Sequence, residues 1–207
     1  MNILQKFHSS HYSHRTNIIS SLIIEMLPNN VNILDIGCGD GTIDKKIIEK
    51  KPTIKIAGVD VLKQKKSKIP VVIFDGKKLP FSKNSFDGTL LIDMLHHNDD
   101  ISALMKEAVR VSKDFIIIKD HYLQGKISLY ILKLMDWLGN RPYNINLLYN
   151  YYDYGQWENL FKDLNLKKEQ EINNLNLFSF PFTLIFDRDY HFIVKLRRIN
   201  KKFQICK

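Results

Sequence analysis

The chain has 207 residues, 44% of them hydrophobic and 26% charged, which supplies apolar surface for one core and excludes both a disordered chain and a bundle of membrane spans. Lys and Arg outnumber Asp and Glu by 31 to 22, a net charge of +9; this suits anionic partners, although solvent-facing lysines in a chain rich in Ile and Asn account for it equally well. The two cysteines, Cys38 and Cys206, make no disulfide framework and no CxxC pair, and residues 1–10 lack the apolar stretch of a signal peptide, so a cytoplasmic setting is expected.

From Arg15 to Leu27, apolar residues recur at three- and four-residue spacing (Ile18, Ile19, Leu22, Ile23, Met26), predicting an amphipathic helix stopped by Pro28. Val31 to Ile36 reads as a strand that runs into Gly37-Cys38-Gly39-Asp40-Gly41 and then a helix over 42–51, with Thr42 placed to cap it. Ile54 to Val59 is a second strand ending at Asp60, and Val71 to Phe74 a third ending at Asp75. The basic link over 62–70 is too short for a crossover helix and reads as a loop. A fourth strand over Phe86 to Ile92, a helix over Ile101 to Val111 and a fifth strand over Phe115 to Ile118 follow. This alternation is that of a parallel sheet with helices on both faces.

Beyond Lys119 the pattern changes. Ile127 to Leu138 reads as a helix, and 141–154 as a Tyr- and Asn-rich insertion suited to covering something. Trp157 to Leu164 is a helix, Leu166 to Ile172 a strand and His191 to Ile199 a last strand. Residues 173–186 carry no charge, but Pro181 interrupts them and they are too short to span a bilayer, so core or lid is expected. The whole reads as one domain, 1–207: an N-terminal helical segment (1–30), a ligand-binding core (31–120), an insertion or lid (121–155) and a closing helix and strands (156–207).

In an open parallel sheet, ligands collect beyond the carboxyl ends of the strands. Gly37, Gly39 and Gly41 let the backbone turn sharply there, and the helix that follows offers free N–H groups. Asp35, two residues before the first glycine, would repel a pyrophosphate but attract an ammonium or sulfonium group. Asp60 is suited to accept from ribose hydroxyls, and Asp75 from an adenine amino group, with Gly76 leaving room for the ring. Each of these acids alone could be a turn cap; their shared placement with the glycine turn argues for a ligand.

The segments ILDIGCGDGT at 33–42, GVD at 58–60 and FDGKKLPFSKNSFDGTLLIDMLHH at 74–97 resemble the successive motifs of the class I S-adenosylmethionine-dependent methyltransferases, over roughly residues 31–120. The resemblance implies a Rossmann-like, doubly wound, mostly parallel seven-stranded sheet of order 3-2-1-4-5-7-6 with an insertion after strand 5. It also implies S-adenosylmethionine as cofactor, with S-adenosylhomocysteine as product. By position, Asp35 and the backbone of Gly37, Cys38 and Gly39 would hold the methionine end, Asp60 the ribose, Val61 the adenine face and Asp75 with Gly76 the adenine amino side. Asp93 ends the fourth strand, where family members contact the methionine amino group. LPFSKNSFDG resembles the small-molecule branch, which implies an acceptor such as a small molecule, lipid or sugar, methylated at oxygen or carbon.

On the acceptor side, His96-His97 and Asp120-His121 fall at the ends of the fourth and fifth strands, and imidazole suits base work near neutral pH. His121 is the preferred catalytic candidate and His97 the second. Arg15 could reach the methionine carboxylate if the first helix folds over the cofactor. His8, His11 and His14 lack neighbouring acids or cysteines, so no metal is assigned. A nucleic-acid methyltransferase is the alternative suggested by the charge, although LIDMLHH stands where an NPPY-type tetrapeptide would be; a non-catalytic cofactor-binding module is another. No transmembrane segment is expected, peripheral membrane contact is allowed, and oligomeric state is not legible.

Overall fold

A computed structural model of the chain describes residues 3–62, 64, 66–140, 148–180 and 182–199, with side chains from Tyr12 onward apart from 139 and 140. In chain order the elements are α1 (Ile3–Met26), β1 (Asn32–Ile36), α2 (Thr42–Lys50), β2 (Lys55–Asp60), β3 (Val71–Ile73), β4 (Phe86–Ile92), a 3-10 turn (Leu95–His97), α3 (Ile101–Val111), β5 (Ser112–His121), α4 (Gly125–Asn140), α5 (Tyr154–Asp163), β6 (Leu166–Asn173), α6 (Thr183–Phe186) and β7 (His191–Arg198). They build a seven-stranded sheet of order β3-β2-β1-β4-β5-β7-β6. β1 to β5 run parallel, and β7 lies antiparallel between β5 and β6. The expected Rossmann-like architecture is therefore the observed one.

Side chains alternate between the two faces of each strand, and both faces are covered. Leu34, Leu91, Ile116 and Val194 point to a core closed by Leu104 and Met105 of α3 and Trp157 and Leu160 of α5. Their neighbours Ile33, Leu90, Ile117 and Ile193 point the other way, onto Ile19 and Ile23 of α1 and Ile47 of α2. This double burial explains why the strands read as unbroken apolar runs.

Several boundaries differ from the sequence reading. α1 begins at Ile3 rather than Arg15; residues 8–17 carry no aliphatic residue that would signal the helix before Ile18. β5 extends in both directions, to Ser112 and to His121. Its polar end, Lys119-Asp120-His121, is strand because β7 pairs with all three residues, His121 lying opposite His191. Thr42 does not cap α2: the N-cap is Gly41, at φ 74° and without a side-chain bond. Asp40 takes that role, its Oδ1 accepting from Thr42 N at 3.0 Å and Thr42 Oγ1 at 2.6 Å. The uncharged stretch 173–186 is divided between core and surface, with Leu175 and Leu177 buried while Phe180 and Leu184 are exposed.

Candidate functional site

The turn between β1 and α2 is tied to β2 by its own backbone. Gly37 N and Cys38 N donate to Val59 O at 2.8 and 3.2 Å, and Gly39 N donates to Asp60 Oδ2 at 2.8 Å. Leu62 N donates to the other oxygen of Asp60 at 2.9 Å, so this carboxylate bridges the end of β2 and the glycine turn. Gly37 has φ +75°, and a Cβ there would lie 2.8 Å from Met94 Cβ; no other residue fits. At Gly39, φ +57°, a Cβ would meet nothing within 4 Å, so the turn is open on that side. The Cys38 side chain packs inward against Gly58, and burial, then the charge of Asp35, pushes its thiol well up, which removes thiolate chemistry.

Beneath the turn lies an acid pair. Asp35 and Asp44, the latter from the first turn of α2, are 2% and 0% exposed. Burial, then the charge of Asp44, raises Asp35 well above the usual carboxylate range; burial raises Asp44 to about 7. The two therefore hold a proton near neutrality. Asp35 Oδ1 and both oxygens of Asp44 are buried with no hydrogen-bond partner outside the pair, a buried acid pair at the glycine turn that fits a cationic ligand group.

Val61 is exposed at the end of β2, and a Cβ on Gly76 would come within 3.2 Å of its Cγ1, so the two line one rim. Asp75 is exposed, and its Oδ1 accepts from the amides of Lys77 and Lys78, each at 2.8 Å. In this structure it is a turn cap, and its contact with adenine rests on the resemblance alone.

At the ends of β4 and β5 the structure gathers a chain of alternating charges. Asp93, a non-glycine residue at φ 50°, pairs with both Arg15 and Lys119. Arg15 thus reaches the site from α1, where it holds an acid. Burial raises the Asp93 carboxyl, but the charges of Arg15 and Lys119 override it and hold the group below its ordinary value. Lys119 also lies 3.3 Å from His191 Nδ1, whose Nε2 meets Phe186 O at 3.0 Å. His191 therefore donates through Nε2 and accepts from Lys119.

His96 is the centre of the other half. Its Nδ1 lies 2.6 Å from Asp120 Oδ1 and its Nε2 3.2 Å from Asp136 Oδ2. Burial depresses it, but the charges of Asp120 and Asp136 prevail and raise it to about 10, so it is an imidazolium. Tyr151 stacks on it at 5.2 Å and donates to Asp136. His121 is different. Burial, then the charge of Lys119, lowers it against the pull of Asp120, leaving a neutral ring. Its Nδ1 lies 3.1 Å from Asp120 Oδ1, and its Nε2 points to the Asp93 side, 3.8 Å from Oδ1. An Nδ1–H donating to Asp120 leaves a lone pair on Nε2. Trp157 Nε1 donates to His121 O at 3.1 Å and anchors this strand end. Burial, then the charge of His96, brings His97 down to about 4.

Open grooves lie at the amino edge of β1 and β2 and beside β6, away from these groups; the chemistry is concentrated at the carboxyl edge, as the strand order requires. The chain matches the family described as a methyltransferase domain over residues 11–171. It is a class I S-adenosylmethionine-dependent methyltransferase domain. It is 27% identical over 139 residues to the ubiquinone/menaquinone biosynthesis C-methyltransferase UbiE of Rickettsia felis, covering 55% of this chain and 56% of that one. It is 30% identical over 89 residues to the malonyl-(acyl-carrier protein) O-methyltransferase of Legionella pneumophila, covering 38% and 31%. The matched part thus spans about half the length of the first relative and less of the second. Among solved structures, the PH0226 protein of Pyrococcus horikoshii superposes with a TM-score of 0.67 at 18% identity, over 91% of each chain, a likeness of fold.

In this methyltransferase domain, the structure brings together Asp35, Gly37, Cys38, Gly39 and Asp60 around the glycine turn, with Val61 and Gly76 on a rim near it. Asp93 and His121 meet at the next strand ends. Sequence reasoning missed Asp44, Lys119, Asp136, Tyr151 and His191, and ranked His97 while His96 is the clamped residue. A polar residue on the inward face of α2, at Asp44, was the one signal in the sequence that could have found any of them. Two sets of side chains, His96/Asp120/His121 and His96/His97/Asp136, bring ligand atoms within 4.8 Å of one another. In both, His96 is already protonated between carboxylates, and a cation would have to displace that charge. His14 is exposed, and the side chains of His8 and His11 lie outside the described residues, so that cluster is not tested. Among the described residues, no helix is long and apolar enough to cross a membrane.

Proposed function

We propose that this domain moves a methyl group from S-adenosylmethionine to an oxygen or carbon of a small-molecule, lipid or sugar-like acceptor, with His121 as the base. The observation that carries this reading is the Asp120–His121 pair: a neutral imidazole oriented by a buried carboxylate, its Nε2 on the side of Asp93. When bound, the cofactor supplies an electrophilic methyl sulfonium. The chain's own part is to hold both reactants and manage one proton. Asp35 and the glycine turn would take the methionine end, Asp60 the ribose, and Val61 with Gly76 the adenine. Asp93, paired here with Arg15 and Lys119, would be the carboxylate offered to the amino group. Positioning alone can contribute roughly 7–11 kcal/mol to such a displacement, and a base is required when the acceptor is a hydroxyl or an acidic C–H.

The C- and O-methyltransferase names of the two relatives support this class of acceptor. The division into core (31–120), lid (121–155) and closing elements (156–207), and a cytoplasmic setting, belong to the same reading. Calorimetry with S-adenosylmethionine and S-adenosylhomocysteine tests the cofactor. Transfer of a labelled methyl group into the lipid, polar-metabolite and nucleic-acid fractions of an extract tests the acceptor. Label in lipid or metabolites is expected; label confined to nucleic acid, or to no fraction despite tight cofactor binding, overturns the reading.

A further inference from the structure

We infer that the outer face of α4 and α6 docks on an anionic phospholipid surface, so that the acceptor is an amphiphile resident in that membrane. α4 has a buried side and an exposed apolar side. Its inner side carries Ser128, Leu132 and Asp136, all buried. Its outer side carries Ile127, Tyr130, Leu134 and Leu138 at three- and four-residue spacing, exposed by 73%, 73%, 47% and 49%. Among the described residues only the inner side of α4 is covered, so the outer stripe is apolar surface with no core against it.

α6 packs against α4 and enlarges the patch with Leu184, 64% exposed, while Phe180 just before it is 79% exposed. Apolar residues gathered in this way on a surface mark an interaction site rather than ordinary scatter. Charge selects the partner. Lys126 and Lys133 follow one flank of the α4 stripe, and the single acid of α4, Asp136, is turned inward onto His96. Arg188 is exposed after α6, and Asp187 is engaged by the amides of Leu177 and Phe178, leaving Asp189 as the exposed acid of this region. An apolar stripe flanked by basic residues, in a chain of net charge +9, is the pattern that lies in an anionic headgroup layer. A second copy fits less well, because a twofold contact through this patch would set Lys126 and Lys133 against their own counterparts.

The patch lies over the reactive edge. α4 leaves β5 just after His121, α6 leads into His191, and those two residues are paired across the sheet. A membrane pressed to this face would hold an amphiphilic acceptor beside that end of the sheet. The docking needs only the surface, whereas the nature of the acceptor rests on the methyltransferase reading above.

The test is flotation of the purified chain, with no cofactor present, on phosphatidylcholine vesicles and on vesicles that also contain phosphatidylglycerol. Binding is expected on the anionic vesicles and is expected to weaken with salt. Lys126→Glu should reduce it roughly tenfold, and combined Ile127→Ser, Tyr130→Ser and Leu134→Ser should abolish it. Calorimetry with S-adenosylmethionine on the same variants is expected to give unchanged affinity, showing that they are folded. The proposal is overturned if the parent chain stays off anionic vesicles, if the triple variant floats equally well, or if light scattering shows a dimer that the triple substitution dissolves. None of those outcomes touches the cofactor measurement, so the failure of docking and the failure of the methyltransferase reading are separately visible.

Discussion

His96 and Asp136 meet with Nε2 and Oδ2 3.2 Å apart, an ion pair that fastens α4, the outer element over the site, to the turn that follows β4. Because the other nitrogen of the same ring is 2.6 Å from Asp120, the pair also fixes the carboxylate that orients His121. One side chain thus couples the covering helix to the base.

Removing His96 leaves two buried acids without their cation, which costs about 3–5 kcal/mol. His96→Ala should lower the urea-unfolding free energy by that amount. The pH dependence has a definite sign. The group rises from 6.5 to about 10 on folding, so its contribution is complete below pH 6.5 and is lost as pH climbs through 10. The parent chain should therefore lose more stability than His96→Ala between pH 7 and 10; parallel profiles would refute the clamp.

Asp35 and Asp44 hold a proton that a cationic ligand should expel. Both are raised above 3.8, Asp44 to about 7, so cofactor affinity should rise with pH by up to about tenfold per unit through the range around pH 7. Asp44→Asn should flatten that profile. Calorimetric titrations with S-adenosylmethionine between pH 6 and 8 decide the matter, and an unchanged slope in the variant would remove Asp44 from the account.

Gly37→Ala places a methyl group within 2.8 Å of Met94 Cβ at φ +75°. The left-handed backbone alone costs about 1–2 kcal/mol, and relief of the clash moves the turn. Cofactor affinity should fall at least tenfold, as measured by calorimetry, with the thermal midpoint lowered. Gly39→Ala, with open space at its Cβ, should lower stability less.

His121→Gln keeps a polar side chain but removes the proton acceptor. Turnover should drop roughly 10²–10⁴-fold while the dissociation constant for S-adenosylmethionine is preserved. Asp120→Asn should reduce turnover as well and shift the acid limb of its pH profile, since the tautomer and basicity of His121 depend on that carboxylate. Full activity in His121→Gln would assign the base elsewhere.

Wherever side-chain periodicity and local chemistry suffice, the fold and half of the site are legible from residues alone. The alternating faces of Ile33 and Leu34, the glycine turn, and acids such as Asp35 and Asp60 at strand ends are local signals, because strand burial, positive φ and strand-end placement each follow from a short window of chain. The extension of β5 through Lys119 to His121 is not local: three polar residues become strand only because β7 pairs with all of them and β4 with the first. Likewise, no window of sequence brings Arg15, Asp93 and Lys119 into one cluster, or joins His96 to Asp136 and Tyr151. Those pairings come from the tertiary arrangement: strand order places β4 beside β5, α1 brings Arg15 to Asp93 and α4 brings Asp136 to His96. Burial in that setting then decides which imidazole is charged and which is neutral, a difference set by neighbours and desolvation that identical side chains cannot carry in their own names.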